Sequence, residues 1–517
     1  MKKSLVRKGE YFDSVSLMIV GKDIAKMEYV KDATVVMATQ ENKSILKTAG
    51  LYLPKFAQYD DTDLLIVIES DHEKKFKEIF ERVNEMLIEI RNKKDESGSF
   101  SPKSLESAVK INPESNLALI SLAGRYAGHE AMKALQLGLN VMLFSDNVSL
   151  STEIELKTYA LDHDLLMMGP DCGTAIINHV PLAFSNAVNQ GNIGIVAASG
   201  TGLQEISSII SEEGFGISQA IGTGGRDIKA EVGGMMFLAA LDALENDDQT
   251  EVIVLVSKPP HLSVLKKINS KLKGISKPVI SIFLGADKSI MKENGAIAAQ
   301  TLEEAALLAC AVAGGFDTAQ IEKFLSERKK DYIEIVNNHL NKITPGRKYI
   351  RGLFSGGTLC DEAQMILKQS IKNIYSNRAS DKTYSLKDSW NSKEHTLVDL
   401  GEDEFTVGRL HPMMDFDLRN KRLLQEADDK ETAIILFDLV LGYGANSEPL
   451  NEILPILKKI NREKSGIILI CSVTGTKNDP QNREGIITEL ENNNVIVMPS
   501  NAAAADITKL IIQNINI

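Results

Sequence analysis

The sequence predicts an α/β protein: a small N-terminal α/β unit, a Rossmann-like unit, then two flavodoxin-like, doubly wound domains on parallel sheets. Three observations predict it. Short β-branched apolar runs alternate with helical-period stretches along most of the chain, as in strands joined by crossover helices. Glycine turns follow the strand runs where a βα turn belongs. The order of elements over about 191–312 also recurs over 346–517, the mark of an internal repeat.

The totals fit this class. At 517 residues the chain has room for three or four domains, and 43% hydrophobic with 25% charged residues is ordinary for a globular protein. A net charge of −12 argues against nucleic acid or an acidic membrane surface as partner. No apolar run reaches the roughly 18 residues of a membrane helix. The start, MKKSLVRKGEYFDS, lacks the apolar core of a secretory signal, so a cytoplasmic protein is expected. Cys172, Cys310, Cys360 and Cys471 lie far apart without a CxxC, which reads as reduced thiols. No His/Cys/Asp/Glu group has metal-ligand spacing, so no bound metal is expected.

Residues 1–95 carry a helix over Ser14–Met27, a strand over Ala33–Ala38, a short helix over Asn42–Thr48 and a strand over Asp63–Glu69. An amphipathic helix over His72–Ile90 follows, with Phe76, Ile79, Phe80, Val83 and Leu87 on one face. Asn92–Lys103, polar and breaker-rich, reads as a linker. A βαβ pattern over 112–190 follows: strand Ala118–Ser121, turn Gly124–Arg125, a helix to Leu137, strand Asn140–Ser145, a helix over Thr152–Asp162 and strand Leu165–Gly169. The turn GRYAGHE is not GxGxxG, and no acid ends the second strand to read a ribose.

Residues 191–320 open with strand Ile193–Val196, the turn Ser199-Gly200-Thr201-Gly202 and a helix marked by Leu203, Ile206, Ile209 and Ile210. Such a turn leaves backbone N–H groups at a helix N-terminus, where the dipole favours an anion. A second turn, Gly222 to Asp227, adds Gly224, Gly225 and the guanidinium of Arg226. Strands Glu251–Ser257 (ending in KPP), Pro278–Leu284 and Ala296–Ala298 and helix Leu302–Val312 complete this domain. After a connecting helix at Ile321–Asn341 the pattern restarts at 346–517: strand Ile350–Phe354, turn Ser355-Gly356-Gly357-Thr358 and helix Cys360–Leu367. Strands Ala433–Leu441, Gly466–Val473 and Val495–Met498 and helix Ala502–Ile512 follow. An insertion of about 370–430 contains Trp390 and GEDEFTVGRLHPMMDFDLRN.

The segments GPDCGT, GNIGIVAASGTG, GFGISQAIGTGGRD and the strand ending KPP resemble the succinyl-CoA synthetase α-subunit and other NDP-forming acyl-CoA synthetases. With the N-terminal unit, GRLHPMMD and VLGYG, nearly the whole chain is similar to FdrA-type proteins. The resemblance implies a CoA-binding-type domain at 112–190 and ligase domains at 191–320 and 346–517. It makes CoA a possible, not tightly held, cofactor, with Gly124, Arg125, Asp171 and Cys172 on its side. It also implies carbamoyl transfer in allantoin breakdown, in which oxalurate and phosphate interconvert with oxamate and carbamoyl phosphate, with partner subunits or as a homo-oligomer. The synthetases relay phosphate through a histidine in a loop after the strand matching Pro278–Leu284. Here that loop is GADKSIMKENGAIAA, and no histidine stands between Leu262 and Asn338. An ATP-grasp domain is also missing from the sequence.

Candidate site residues each carry a second, plainer reading. Ser199, Gly200, Thr201 and Gly202 are a phosphate or carboxylate cradle, or an ordinary N-cap. Gly224, Gly225 and Arg226 hold the other charged end of a substrate, or form a surface turn with Asp227. Ser355, Gly356, Gly357 and Thr358 are a second anion site or a relic of duplication. Arg409, His411 and Asp415 could polarise a carbonyl and move a proton at the leaving nitrogen; otherwise His411 is a loop residue satisfied by Asp415. His129 and Arg125 follow a strand end and can face the same crevice. Cys172 is a nucleophile or a buried small residue. Three functions stay open: a carbamoyl or acyl transferase acting on a small anionic carbonyl compound and phosphate, an acyl-CoA ligase in which a partner or another histidine such as His261 relays phosphate, and a non-catalytic metabolite-binding or scaffold subunit.

Overall fold

The computed structural model describes residues 1–10, 12–48, 50–95, 102, 104–286, 295–406, 409–464 and 466–515. It forms two compact units, Met1–Ile111 with Glu402–His411, and Asn112–Gly401 with Pro412–Ile517.

The first unit is built on strands β1 (Lys2–Arg7), β2 (Val30–Met37) and β3 (Leu64–Ser70), in the order β1-β3-β2 with antiparallel pairing. The central strand, LLIVIES, is apolar nearly throughout because both its faces are covered. Helices Ser14–Ala25 and Phe76–Asp95 pack Leu17, Ile79 and Val83 against Ile66 and Ile68. Leu46, Leu51 and Phe56 cover Val36, Leu65 and Val67 on the other face. Strand β1 was not expected from its charged sequence. It lies at the sheet edge, where charge is tolerated, with Lys2 opposite Glu69. The expected linker begins later than 92, since the helix continues to Asp95; residues 96–101 and 103 lie outside the described set.

The second unit contains three sheets. β4 (Leu117–Ile120), β5 (Asn140–Leu143) and β6 (Met167–Met168) form a short parallel sheet. The next sheet holds β7 (Thr174–Ile177), β8 (Val180–Ala183), β9 (Gln190–Ala197), β10 (Ile217–Gly222), β11 (Val252–Ser257), β12 (Val279–Phe283) and β13 (Ile297–Ala298). Its order is β13-β12-β11-β9-β10-β7-β8. The expected all-parallel sheet is corrected at one edge: β7 and β8 form a hairpin, and β7 runs antiparallel to β10. Its two-residue turn, Asn178-His179, has both φ angles positive, at 48° and 65°, the geometry that matches the twist of a hairpin.

The third sheet is fully parallel: β14 (Tyr349–Phe354), β15 (Ile374–Ser376), β16 (His395–Asp399), β17 (Thr432–Val440), β18 (Ile468–Thr474) and β19 (Val495–Met498), ordered β15-β16-β14-β17-β18-β19. The expected insertion at 370–430 supplies two of these strands, β15 and β16. The period-based reading passed over them because they are short.

One apolar core joins the two large sheets. Helices Gly200–Glu212 and Leu302–Ala313 from the first half, and Gly357–Leu367 and Asn501–Ile515 from the second, pack together through Ile206, Ile210, Ala306, Leu359, Ala363 and Ala502–Ala505. Two buried glutamates tie the halves. Glu205 accepts hydrogen bonds from Asn501 N at 2.9 Å and from Thr474 Oγ1. Glu362, the matching residue of the second half, accepts from Leu302 N at 2.7 Å and Asn501 Nδ2 at 2.8 Å. Each glutamate therefore supplies an acceptor to the first amide of the other half's last helix. Burial raises both carboxyls, Glu362 to about 8.

Candidate functional site

The two serine-glycine turns predicted from the repeat meet. Each follows the central strand of its sheet and opens a helix aimed at the other half. Ser199 caps helix Gly200–Glu212, its Oγ accepting from Gly202 N at 3.0 Å. The same Oγ lies 2.5 Å from Thr358 Oγ1 across the interface. A Cβ on Gly356 would stand 2.8 Å from Thr201 Cγ2, so glycine is what lets the turns touch. Two helix N-termini thus converge at the carboxyl ends of β9 and β14, where chain direction switches in doubly wound sheets.

The turns are not equivalent. In the second half, Asp438 of β17 fills the cradle: its carboxylate accepts from Ser355 N (2.9 and 3.0 Å), Ser355 Oγ (3.0 Å) and Gly356 N (3.0 Å). The buried Arg419 pairs with it at 2.9 Å. The expectation that Ser355 and Gly356 receive an external anion is therefore corrected; a carboxylate of the chain already holds their donors. Strand registers show the origin of the difference. Leu353 pairs with Phe437 and Ala197 with Val256, so Asp438 stands where the first half has Ser257. Among the described residues, the amides of Gly200 and Thr201 meet no protein acceptor. The first cradle is the open one.

Charged side chains border it. Lys258 directly follows β11, whose Val256 pairs with Ala197, two residues before Ser199. Its Nζ reaches across to Asp361 Oδ2 at 2.7 Å, on the helix of the opposite cradle. Arg378 also binds Asp361, through Nε at 3.2 Å and Nη2 at 3.1 Å, and Asp399 through Nη1 at 3.3 Å. Burial raises the Asp399 carboxyl to about 6 against the pull of Arg378.

The Gly224–Asp227 turn belongs to the scaffold. Arg226 is held by Glu153 (Nε to Oε2, 2.8 Å) and by Val148 O (2.8 Å). Buried Lys157 joins Glu153 and Asp227, each at 2.8 Å, and Asp227 accepts from Phe237 N at 2.8 Å. The assignment of Arg226 to substrate is corrected: its charge balances a buried glutamate. Gly224 and Gly225 keep only backbone amides for a ligand.

Cys172 is buried, burial pushes its thiol up to about 12, and its Sγ donates to Gly222 O at 3.3 Å. A buried, protonated thiol held by backbone carbonyls packs as a structural residue and argues against the nucleophile reading. Gly124 is required by packing, since a Cβ would lie 2.3 Å from Asp146 O. Arg125 and His129 are exposed on helix Gly124–Gln136, with Arg125 over the Tyr126 ring at 4.7 Å. Asp171 is exposed, with a φ of 58°. Arg409 and His411 fall in the first unit and Asp415 in the second, where it accepts from Asp417 N at 2.9 Å.

Sequence reading missed Asp361, Arg378, Asp399, Arg419 and Asp438. One signal was present: Asp438 interrupts the apolar run AIILFDLVL, and a buried acid in a central strand demands a partner.

Family models match parts of the chain, and the CoA-binding match falls on residues 188–285, not on the 112–190 that the resemblance implied for a CoA-binding-type domain. A CoA-ligase family model matches residues 353–511 and a CoA binding domain model residues 188–285. The model "AllF, heavy metal-associated domain" matches residues 1–102. YahF of Escherichia coli K12 is 43% identical over 488 residues, 93% of each chain. The chain belongs to the FdrA family, within the NDP-forming acyl-CoA synthetase superfamily. A succinate–CoA ligase α-subunit of Archaeoglobus fulgidus is 26% identical over 184 residues, 35% of this chain and 61% of the relative; that of Methanothermobacter thermautotrophicus is 27% identical, covering 33% and 56%. A solved acetyl-coenzyme A synthetase of Ca. Korarchaeum cryptofilum aligns over 77% of this chain and 83% of its own, at 14% identity and a TM-score of 0.33. In this family member the heavy metal-associated domain has no thiolate donors: residues 1–102 contain no cysteine and a single histidine, His72, stacked edge-on against Tyr29.

Proposed function

We propose that this chain is a subunit of a carbamoyltransferase of the oxamate type, which converts oxalurate and phosphate to oxamate and carbamoyl phosphate in allantoin nitrogen breakdown. The observation that supports the reading is the convergence of two helix N-termini on one open cradle in a synthetase scaffold that has no histidine from Leu262 to Asn338.

In this reading the amides of Gly200 and Thr201 hold phosphate. A phosphate oxygen attacks the carbamoyl carbon, the C–O bond forms, the C–N bond to oxamate breaks, and the leaving nitrogen takes a proton. Preorganised N–H dipoles stabilise the oxyanion of the intermediate. Partner subunits complete the enzyme.

The second reading is acyl-CoA ligase activity, favoured by the CoA-binding and CoA-ligase domain matches. Exposed Arg125 at a helix start would then hold a CoA phosphate. One experiment separates the two. The chain, alone and with candidate partner subunits, is incubated with oxalurate and phosphate, and separately with succinate, CoA and ATP. Carbamoyl phosphate in the first mixture supports transfer; acyl-CoA formed only with ATP replaces it with the ligase reading. Binding of metabolites without either product leaves a non-catalytic subunit.

A further inference from the structure

Lys258 and Arg378 come from different halves of the second unit, yet both point at one carboxylate oxygen. Asp361 Oδ2 lies 2.7 Å from Lys258 Nζ and 3.1 Å from Arg378 Nη2, and Oδ1 lies 3.2 Å from Arg378 Nε. This is the fork arrangement by which a guanidinium takes an oxyanion, with an ammonium added. Its location is specific. Asp361 sits one turn into the helix whose N-terminus meets Ser199, and Lys258 directly follows β11, whose Val256 pairs with Ala197, two residues before Ser199. A Cβ on Gly357 would lie 3.0 Å from Arg378 Nη1, so the guanidinium lies against the start of that helix. The Lys258 side chain is 46% exposed, and those of Asp361 and Arg378 are 18% exposed, so solvent reaches the group.

We infer that Asp361 is a resident stand-in for phosphate: an incoming phosphate or phosphoryl group displaces its carboxylate and is held by Lys258 and Arg378 at the mouth of the open cradle. The inference rests on the reading that phosphate is a reactant. A dianion attracts both cations more strongly than a carboxylate monoanion at equal distance. The displaced Asp361 turns to solvent from its own helix. The two cations then supply in trans what neither cradle has alone, side-chain charge from both halves on one oxyanion.

Phosphate affinity of the full-length chain, measured by isothermal titration, tests this without reference to turnover. Asp361→Asn removes the competing charge at constant shape and is expected to tighten phosphate binding about tenfold, while Lys258→Gln weakens it about tenfold, each the worth of one charge-assisted contact. Lys258 is half exposed, so its variant tests the assignment even where Asp361→Asn folds poorly. Phosphate affinity unchanged or weakened in Asp361→Asn, or unchanged in Lys258→Gln, overturns the inference. So does tightening for oxamate in place of phosphate. Tightened phosphate binding in a chain that forms no carbamoyl phosphate with its partners upholds the anion seat and removes the carbamoyltransferase reading. Carbamoyl phosphate formation with unaltered phosphate affinity in both variants does the reverse.

Discussion

Replacing Asp438 measures how firmly the second cradle is closed from within. Its carboxylate accepts from two backbone amides and the Ser355 hydroxyl, and faces a fully buried guanidinium. Asp438→Ala leaves Arg419 without a counter-charge and the amides of Ser355 and Gly356 without acceptors. Stranding a buried charge costs about 3–5 kcal/mol, and each orphaned amide about 1–3 kcal/mol where water cannot enter. These terms overlap, so a loss of about 4 kcal/mol is expected. Asp438→Asn keeps one acceptor and should lose about half of that, roughly 2 kcal/mol. The assay is denaturant unfolding followed by the fluorescence of Trp390, the sole tryptophan, which reports on this half. The double variant Asp438→Leu with Arg419→Met removes both charges and should recover much of the loss. A loss below about 1 kcal/mol for Asp438→Ala, or a double variant no more stable than the single, would refute the account of a carboxylate-filled cradle.

Three further outcomes follow from the geometry. Arg226→Ala should lower stability by about 1–2 kcal/mol, a charge-assisted contact discounted for its partial exposure, and leave KM for phosphate unchanged; a raised KM with unchanged stability would return Arg226 to the substrate site. Burial raises Glu362 to about 8 from 4.5, so the folded chain keeps a proton that the unfolded chain releases between those values. Stability should therefore fall as pH rises from about 4.5 to 8, and Glu362→Gln should flatten that slope in a pH series of unfolding midpoints; an unchanged slope contradicts the assignment. Ser199→Ala removes the N-cap and the contact with Thr358, costing about 1 kcal/mol of stability and, on the carbamoyl-transfer proposal, reducing kcat/KM for carbamoyl phosphate formation at least tenfold; wild-type turnover would remove the first cradle from the site.

The fold was largely legible, and the reason is periodic. Runs such as IGIVA and VIVLVS are buried on both faces by helices, so they stay apolar throughout and are easily seen. The hairpin β7–β8 and strands β15 and β16 were harder, because three- to five-residue strands are too short for a period to register. The turns themselves were legible because a serine-glycine break after an apolar strand and before a helical-period stretch marks a βα turn. Their occupants were not. Arg226 looked like an anion receptor because the sequence does not show that Glu153, 73 positions earlier, lies 2.8 Å away.

The sequence by itself determined the fold class, the repeat, the glycine turns at the strand ends and the loss of a histidine in the loop after β12. These depend on local order along the chain, on apolar spacing and on which residue types are present. Only the tertiary structure decided which cradle is open. That depends on pairings between residues about 20 to 160 positions apart: Asp438 with Ser355 and Arg419, Ser199 with Thr358, Lys258 with Asp361. A charged side chain has the same letter whether it waits for a ligand or neutralises a neighbour, and folding alone brings the neighbour within reach.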